Sequence, residues 1–407
     1  MLKSAWGRAA IVASGTAIAL AGVVLPAQAA STATGWRAVA TFSAKDRETV
    51  MTGVDAISGN DAWAVGYQAT SAGKDPAGLV KHWAGRSWQS AKLPSKIAKA
   101  WASAANDTIV GARSATDMWA VTALPGLKGS EYLRLSGRTW TVGGLPGGSE
   151  TSPSLLVVTS VVVGKSVTWV FGGKVNLLAT KPSFTPYAAY YNGRRWTTVK
   201  VPATGEITAA SAVSANNIWA VTGVSSAGFL LSGGTASVTS AVLHWNGKSW
   251  GKVAGQPALP AGGDLTSITV GKQVLVGGDV ATSSGATTVQ FTDQTSGGTW
   301  AAPVDLPKSA ATARTSDHLP YQIDSLVPAG TGSYWALSSN LEDVTPMLWH
   351  YAGGKWSSVA APTFGNKRRA LIQLSEVPGS ASVWAVGAVG TESTAKGIIA
   401  LTGPTPR

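Results

Sequence analysis

The chain has 407 residues and contains no cysteine. A lipid-modified N-terminal cysteine, a disulfide framework and a thiolate metal site are therefore all excluded. A chain of this length can bury a stable hydrophobic core without covalent cross-links. Its stability must come from packing and hydrogen bonding.

Charged residues are scarce, at 13% of the sequence, so the surface must consist mainly of Ser, Thr, Gly and Asn. The formal net charge is +12, and loss of Lys3 and Arg8 with an N-terminal signal lowers it by two, to +10. A basic balance favours contact with anionic polymers, lipid surfaces or acidic glycans. The same charge also keeps a protein soluble, and both interpretations stay open at this point.

Long apolar runs are lacking as well. Residues 9–25 form an apolar run that is shorter than the roughly 20 residues a membrane-spanning helix needs. The next run, residues 155–163, is β-branched and of strand length. We therefore expect no transmembrane segment.

The first residues instead have the pattern of an export signal. Lys3 and Arg8 supply a positive start before the apolar run, and Ala27-Gln28-Ala29 is a small-x-small cleavage pattern. We expect residues 1–29 to be a signal peptide. Residues 30–407 are then a single domain that is secreted and extracellular.

Several motifs that carry chemistry are missing. The sequence has no glycine-rich phosphate loop, HExxH helix, calcium-loop pattern or nucleophile elbow. It predicts no cofactor, no metal site and no nucleic-acid partner, and we expect a monomer.

Tryptophan, in contrast, recurs with a period of about 50 residues, which is typical of kelch-type β-propellers. One series follows glycine turns in most repeats: Trp36, Trp88, Trp140, Trp196, Trp250, Trp300 and Trp356. A second series lies out of phase with it, in strings such as NDAWAVG and SVWAVG: Trp63, Trp119, Trp169, Trp219, Trp335 and Trp384, with Val274 in the remaining position. Two markers in each of seven repeats predict seven structural units.

Each repeat contains four short β segments between Gly, Ser and Asn turns. In the fourth repeat we predict strands at residues 207–213, 218–223, 241–245 and 249–253. The last two are joined by Asn246-Gly247, a strong hairpin signal. The sequence therefore predicts an all-β fold, a seven-bladed β-propeller with four antiparallel strands per blade.

The two ends of the chain predict how the ring closes. The last repeat supplies strands at residues 371–374, 383–387 and 397–401 and then stops. Residues 35–39 match the outer-strand pattern of residues 248–253. We expect the N-terminal strand to close the last blade, because pairing covers both exposed sheet edges.

Glycine pairs followed by aromatic residues carry a family resemblance. One set is Gly172-Gly173 with Tyr190, Tyr191 and Trp196, and the other is Gly277-Gly278 with Phe291 and Trp300. On these residues the chain resembles kelch and galactose-oxidase-like propellers. The resemblance implies a propeller over the whole mature chain, but the absence of cysteine excludes the cysteine-tyrosine cofactor of galactose oxidase.

Most of the aromatic and histidine residues have a structural interpretation. A tryptophan at one position of every repeat packs against the neighbouring sheet. His82, His244 and His350 occupy equivalent third-strand positions, too far apart to share one metal ion. Asp61 and Asp117 fit the role of turn caps. Trp101 breaks the period, and we treat it as a candidate ligand-facing residue.

The loops that join one outer strand to the next inner strand carry the candidate binding site, because they share one face of the ring. Basic and aromatic residues cluster in the loops entering repeats 6, 7, 1 and 2, whereas Glu150, Glu206 and Asp264 enter repeats 3 to 5. The predicted ligand-binding residues are Lys45, Arg47, Trp101, Arg314, Asp317, His318, Tyr321, Lys367, Arg368 and Arg369.

Two functions fit this pattern. The favoured one is an exported binding or scaffold module for an anionic glycan, a cell-wall polymer or a protein partner. The alternative is a carbohydrate-active enzyme, a glycoside hydrolase or lyase, which would need two carboxylates about 5 to 10 Å apart in a pocket. The sequence identifies no catalytic pair.

Overall fold

The computed structural model describes residues 35–70, 76–102, 107–124, 129–148, 154–176, 182–225, 238–256, 263–271, 273–280, 292–294, 300, 306, 322–330, 332–339, 346–362, 369–390 and 395–403. All structural statements below concern these residues. The predicted signal peptide lies outside them.

The described residues form 27 strands and one helix. Repeat 1 contains β2 (Glu48–Ser58), β3 (Asp61–Ala69), β4 (Ala77–Trp83) and β5 (Trp88–Ser90), followed by helix α1 (Ser95–Ala102). Repeat 2 contains β6 (Thr108–Ser114), β7 (Asp117–Thr122), β8 (Glu131–Ser136) and β9 (Thr139–Gly144). Repeat 3 contains β10 (Ser154–Val163), β11 (Thr168–Asn176), β12 (Ser183–Tyr191) and β13 (Trp196–Thr198).

The second half of the chain continues this order. Repeat 4 contains β14 (Glu206–Ser214), β15 (Asn217–Gly223), β16 (Ala241–Trp245) and β17 (Trp250–Lys252). Repeat 5 contains β18 (Gly263–Val270), β19 (Val274–Val280) and β20 (Thr292–Gln294). Repeat 6 contains β21 (Gln322–Pro328), β22 (Tyr334–Ser339), β23 (Met347–Ala352) and β24 (Lys355–Val359). Repeat 7 contains β25 (Arg369–Glu376), β26 (Val383–Val389), β27 (Lys396–Thr402) and, from the N-terminus, β1 (Arg37–Phe42).

The sheets are antiparallel and are arranged as a propeller. The first strands of successive repeats contact one another in turn, and β25 contacts β2, so these strands surround a common axis. Six sheets have four strands, whereas repeat 5 has three in the part of the chain described. The prediction of seven four-stranded blades is therefore corrected to six. Within the described residues, the third strand of repeat 5 comprises Thr292–Gln294.

The N-terminal strand closes the last blade, as the sequence predicted. Strand β1 pairs antiparallel with β27, with Arg37 opposite Leu401 and Phe42 opposite Gly397. The guanidinium of Arg37 also donates a hydrogen bond to the carbonyl oxygen of Gly403. The edge of β27, which would otherwise be open, is thereby covered.

Paired tryptophans join neighbouring repeats. Each pair combines a second-strand tryptophan of one repeat with the outer-strand tryptophan of the next repeat. Ring centroids lie 5.2 to 6.3 Å apart with interplanar angles of 77° to 87°, which is edge-to-face packing. The pairs are Trp63–Trp140, Trp119–Trp196, Trp169–Trp250, Trp335–Trp36 and Trp384–Trp88. The structural interpretation of both series is confirmed for these residues.

Repeat 5 departs from this rule, and its register differs from the prediction. Leu275 lies opposite Thr269, as Trp63 lies opposite Asp55 in repeat 1. Leu275 also packs in the cluster that contains Trp356 of repeat 6. Val274 belongs instead to the cluster shared with Trp219 of repeat 4. Leu275, and not Val274, therefore occupies the tryptophan position.

The glycine pairs have a steric cause, and they are not equivalent. In repeat 3 the inner strand brings a carbonyl close to β11, and a Cβ on Gly172 would lie 1.9 Å from the oxygen of Val157. In repeat 5 the corresponding glycine is Gly278, whose Cβ would lie 2.4 Å from the oxygen of Asp264. The first glycine of one pair thus matches the second of the other. This offset weakens the resemblance to kelch repeats.

Threonines at the bulges link the inner strands of neighbouring repeats. Thr52 Oγ1 donates to the carbonyl oxygen of Thr108 at 2.7 Å, and Thr208 Oγ1 donates to that of Leu265 at 2.7 Å. Thr159 makes the same bond to Ile207 at 2.6 Å. These bonds satisfy backbone carbonyls on the inner edges of the sheets, which have no strand partner.

Removal of the N-terminal strand should destabilise the ring. A chain that begins at Ser43 lacks β1 and the Trp36–Trp335 contact, and it exposes the edge of β27. We expect it to aggregate or to melt well below a chain that begins at Gly35, because an unpaired edge templates association. Thermal melting followed by light scattering measures both effects. Equal melting temperatures would contradict the role of β1.

Loss of a single inter-repeat tryptophan should measurably lower the free energy of unfolding. Trp88→Ala removes the contact with Trp384 and leaves a cavity, so we expect a loss of about 3–5 kcal/mol in the free energy of unfolding. Gln89→Ala changes the next, exposed residue of β5 and should cost less than about 0.5 kcal/mol. Urea unfolding of the two variants provides the comparison.

Candidate functional site

The propeller has two unlike faces. The turns that join first to second strands, and third to fourth strands, are short, such as residues 59–60 between β2 and β3. The connections on the opposite side are longer, such as residues 224–240 between β15 and β16. We call these sides the turn face and the loop face. Binding residues concentrate on long loops held by a rigid scaffold, which directs attention to the loop face.

The predicted site residues are only partly within the described chain. Lys45 and Arg47 lie on the loop face, in the turn between β1 and β2, and Arg369 begins β25. The remaining polar and aromatic candidates lie outside the described residues: Arg314, Asp317, His318, Tyr321, Lys367 and Arg368. The clustering of the whole predicted set therefore stays a prediction.

Trp101 is not a ligand-facing residue. It lies in α1, which packs against β4 and β9, and its side chain is only 1% exposed in the core between repeats 1 and 2. Ile97 packs against the same core, four residues earlier on the same face of the helix. This spacing after Pro94, a residue typical of helix starts, is the signal that sequence reasoning missed.

The other side of α1 is basic. Lys96 and Lys99 lie on the helix and Lys92 precedes it, and all three are exposed. Lys45, in the neighbouring loop, is exposed as well. None of these four ammonium groups forms an ion pair with the residues that the structure describes. Their positive charge is therefore available to solvent.

Lys81 connects the two loops that carry these charges. Its Nζ lies 4.3 Å from the centre of the Phe42 ring and donates to Ser90 Oγ at 2.7 Å. Phe42 ends β1 and Ser90 ends β5, so this contact brings the Lys45 turn towards the approach to α1. Burial of Lys81 lowers its pKa. We call Lys45, Arg47, Lys92, Lys96 and Lys99 the basic arc.

One fully buried acid and two partly buried acids occupy the loop-face ends of other inner strands. Asp107, Glu206 and Asp264 hold equivalent pairing positions of their repeats. Glu206 and Asp264 lie just before a bulge, whereas the bulge of β6 lies at its other end, between Ala112 and Ser114. Burial is the main cause that raises their pKa values, to about 6 for Asp107, about 7 for Glu206 and about 6 for Asp264. The sequence placed Glu206 and Asp264 on an acidic arc of loops, but both lie in strands and Glu206 is fully buried.

A further, partly buried acid lies near the turn face. Asp55 Oδ2 accepts a hydrogen bond from the backbone N–H of Ala112 at 2.6 Å. Burial raises the pKa of Asp55 to about 7, against the effect of this hydrogen bond, and the negative charge of Glu376 raises it further. Asp55 therefore links repeats 1 and 2 while facing a like charge from repeat 7.

Each of the repeated histidines contacts residues of its own repeat. His82, His244 and His350 each lie over the second-strand tryptophan of the same sheet, with ring centroids 4.3 to 4.6 Å apart. Their Nε2 atoms lie within hydrogen-bond distance of Asp61, Asn217 and Ser333, respectively. Asp61 thus holds a histidine rather than capping its turn. The described residues contain no group of three or more His, Cys, Asp and Glu side chains that could hold a metal ion.

In the described chain, no helix is long and apolar enough to cross a membrane.

Comparison with known proteins identifies the fold but not a family. No protein-family model matches the sequence, and no curated protein matches it. Membership of the kelch or galactose-oxidase-like families is therefore not confirmed. Among solved structures, YCF48 bound to D1 peptide is similar over 92% of this chain and 97% of its own, with a TM-score of 0.50 and 11% identity.

Other propellers match with lower scores. A six-bladed fucose-binding lectin from Aleuria aurantia is 12% identical over 80% of this chain and 99% of its own, with a TM-score of 0.46. A sialidase from Trypanosoma rangeli is 10% identical over 78% of this chain and 56% of its own, also with a TM-score of 0.46. At these identities the similarity concerns the β-propeller fold.

The stability of the ring should fall as the pH rises through neutrality. Asp55 keeps its proton in the folded state up to a pH of about 7, whereas an ordinary aspartate in the unfolded chain loses it near pH 4. The stabilisation is complete below the unfolded pKa and is lost as the pH rises through the folded pKa. We expect the melting temperature to be lower at pH 8 than at pH 5.

Asp55→Asn should reduce this dependence, because an asparagine oxygen still accepts the Ala112 N–H but carries no charge. Asp46→Asn, in the exposed turn next to Lys45, is the matched control and should leave the pH profile unchanged. Melting curves between pH 4 and pH 9 provide the measurement. Parallel pH profiles of the melting temperature for Asp55→Asn and the parent chain would show that Asp55 does not cause the pH dependence.

Proposed function

We propose that this protein is an exported binding module that takes an anionic glycan or cell-wall polymer on the basic arc of its loop face. The observation that carries the proposal is the set of exposed lysines around α1, which have no acidic partner among the described residues. A ligand with repeated negative charges would supply the missing partners.

The arrangement of the arc supports an extended ligand. Lys45 enters repeat 1 and the lysines of α1 enter repeat 2, so the charges follow the rim of the ring across neighbouring repeats. The sequence adds Arg314, His318, Tyr321, Lys367, Arg368 and Arg369 to the loops that enter repeats 6 and 7. These loops continue the same arc in the proposed site.

The burial of the Glu206 side chain favours binding over hydrolysis. Glu206 and Asp264 belong to neighbouring repeats, but the Glu206 side chain is fully buried. A glycosidase needs both carboxyl groups at the substrate bond. This pair is therefore not placed to act on a polysaccharide, and the carbohydrate-active enzyme is the less favoured alternative.

Two finer points belong to the same proposal. Residues 1–29 act as the export signal, and the mature chain is secreted. The three-stranded sheet of repeat 5 is an incomplete seventh blade of the ring, because β18 contacts the inner strands β14 and β21 on either side.

The proposal is tested by binding of the mature chain to a soluble anionic glycan, with an uncharged glycan and a poly-glutamate peptide in parallel. The peptide arm is included because the YCF48 structure contains a bound peptide. The triple variant Lys92→Gln/Lys96→Gln/Lys99→Gln should weaken glycan binding about tenfold or more at low salt. Binding by the parent chain should also fall as salt screens the charges.

A matched control distinguishes the effect of the basic arc on binding from the effect of net charge. Lys165→Gln/Lys248→Gln/Lys355→Gln removes three exposed lysines from the turn face and lowers the net charge equally. It should bind like the parent chain. Equal losses of glycan binding in the two triple variants would show that net charge, and not the basic arc, causes the effect. Tighter binding of poly-glutamate than of the glycan would favour a protein partner.

A further inference from the structure

The turns between third and fourth strands carry basic residues in the same place of successive repeats. In repeats 1 to 4 a glycine with a φ of 63° to 91° stands three residues before the outer-strand tryptophan, and the basic residue follows it directly. A glycine in the left-handed region at one fixed position gives these turns a common geometry. The pairs are Gly85-Arg86, Gly137-Arg138, Gly193-Arg194 and Gly247-Lys248.

Two further cations lie beside these positions, one residue closer to the tryptophan. Arg195 follows Arg194 in repeat 3, and Lys355 follows two glycines of positive φ in repeat 6. All six side chains are exposed on the turn face. We call them the turn-face cations: Arg86, Arg138, Arg194, Arg195, Lys248 and Lys355.

The ring arrangement places these charges close to one plane. The repeats surround a common axis, so equivalent turns of different repeats reach the same height along it. The turns that carry the cations have two to four residues, and the turns between first and second strands have no more than six. In the described chain, therefore, no long loop projects beyond the cations on this face.

The acids of the turn face do not neutralise these cations. None of the six forms an ion pair with a described carboxyl group. Asp61 is held at 2.8 Å by the histidine of its own sheet, and Asp117 is paired with Arg113 at 2.6 Å. Asp55 and Glu376, on the inner strands, are partly buried. The outer part of the turn face is therefore positively charged.

We propose that the turn face docks on the surface of a bilayer that contains anionic lipids. A flat surface can meet all six cations at once, whereas a linear polymer can follow only part of the ring. Each lysine or arginine held near an anionic bilayer adds to the attraction. This surface lies opposite the basic arc and uses different residues, so the inference goes beyond the proposed function and does not rest on it.

The first test is sedimentation of the mature chain, which lacks the apolar run of residues 9–25, with lipid vesicles. The chain should sediment with vesicles of phosphatidylglycerol and phosphatidylcholine but not with phosphatidylcholine alone, and salt should release it. Arg86→Gln/Arg138→Gln/Lys248→Gln should weaken vesicle binding about tenfold or more. Its melting temperature should match that of the parent chain, because the three side chains are exposed.

The control is Lys92→Gln/Lys96→Gln/Lys99→Gln, which removes the same charge from the loop face and should bind vesicles like the parent chain. Equal losses of vesicle binding in the two triple variants would overturn the proposal, since net charge would then explain the effect. Absence of binding by the parent chain at low salt would overturn it as well. The turn-face variant should keep its binding to the soluble anionic glycan, so failure of one proposal is distinguishable from failure of the other.

A second test determines which face meets the bilayer. The chain contains no cysteine, so a single introduced cysteine takes a fluorescent label at one position. Ser87→Cys places the label in an exposed turn beside Arg86, and Ser43→Cys places it on the exposed loop face. Spin-labelled lipid in the vesicles should quench the label at position 87 and not the one at position 43. The opposite pattern would show that the loop face meets the bilayer and would refute the proposal.

Discussion

The edge-to-face contact between tryptophans of neighbouring repeats is the interaction on which the ring depends. Among the described residues, five such pairs join neighbouring repeats, so the repeats that share them complete their cores only with a neighbour. A ring of such repeats must close, and β1 closes it by carrying Trp36 to Trp335. Both tryptophan series lie towards the turn face, which leaves the loop face free to vary.

Charged groups of the loop face lie at different depths. The lysines of the basic arc lie on α1 and its neighbouring turn, outside the sheets, where a charge keeps its hydration and can attract a distant ligand. Glu206 and Asp264 lie within the sheets, where burial makes an unpaired charge costly and raises the pKa of each carboxyl group. The same ring can therefore hold opposite charges without mutual neutralisation.

Particular residues show where local patterns mislead. Trp101 breaks the tryptophan period and so resembles a ligand contact, but the helix that carries it turns the ring into the core. Val274 aligns with the tryptophans by count, yet strand pairing gives that position to Leu275. Asp61 precedes a strand like a turn cap, but its nearest polar partner is His82 on another strand. In each case a contact with another element decides the role of the residue.

The sequence by itself determined the repeat, the propeller fold, the strands of repeat 4 and the closure by the N-terminus. These features follow from periodic spacing and turn residues, which act over short distances along the chain. The tertiary structure decided the register of repeat 5, the burial of Trp101 and the burial of Glu206. Such features depend on strand register and on contacts between repeats, and contacting residues of neighbouring inner strands lie 48 to 57 positions apart in the chain.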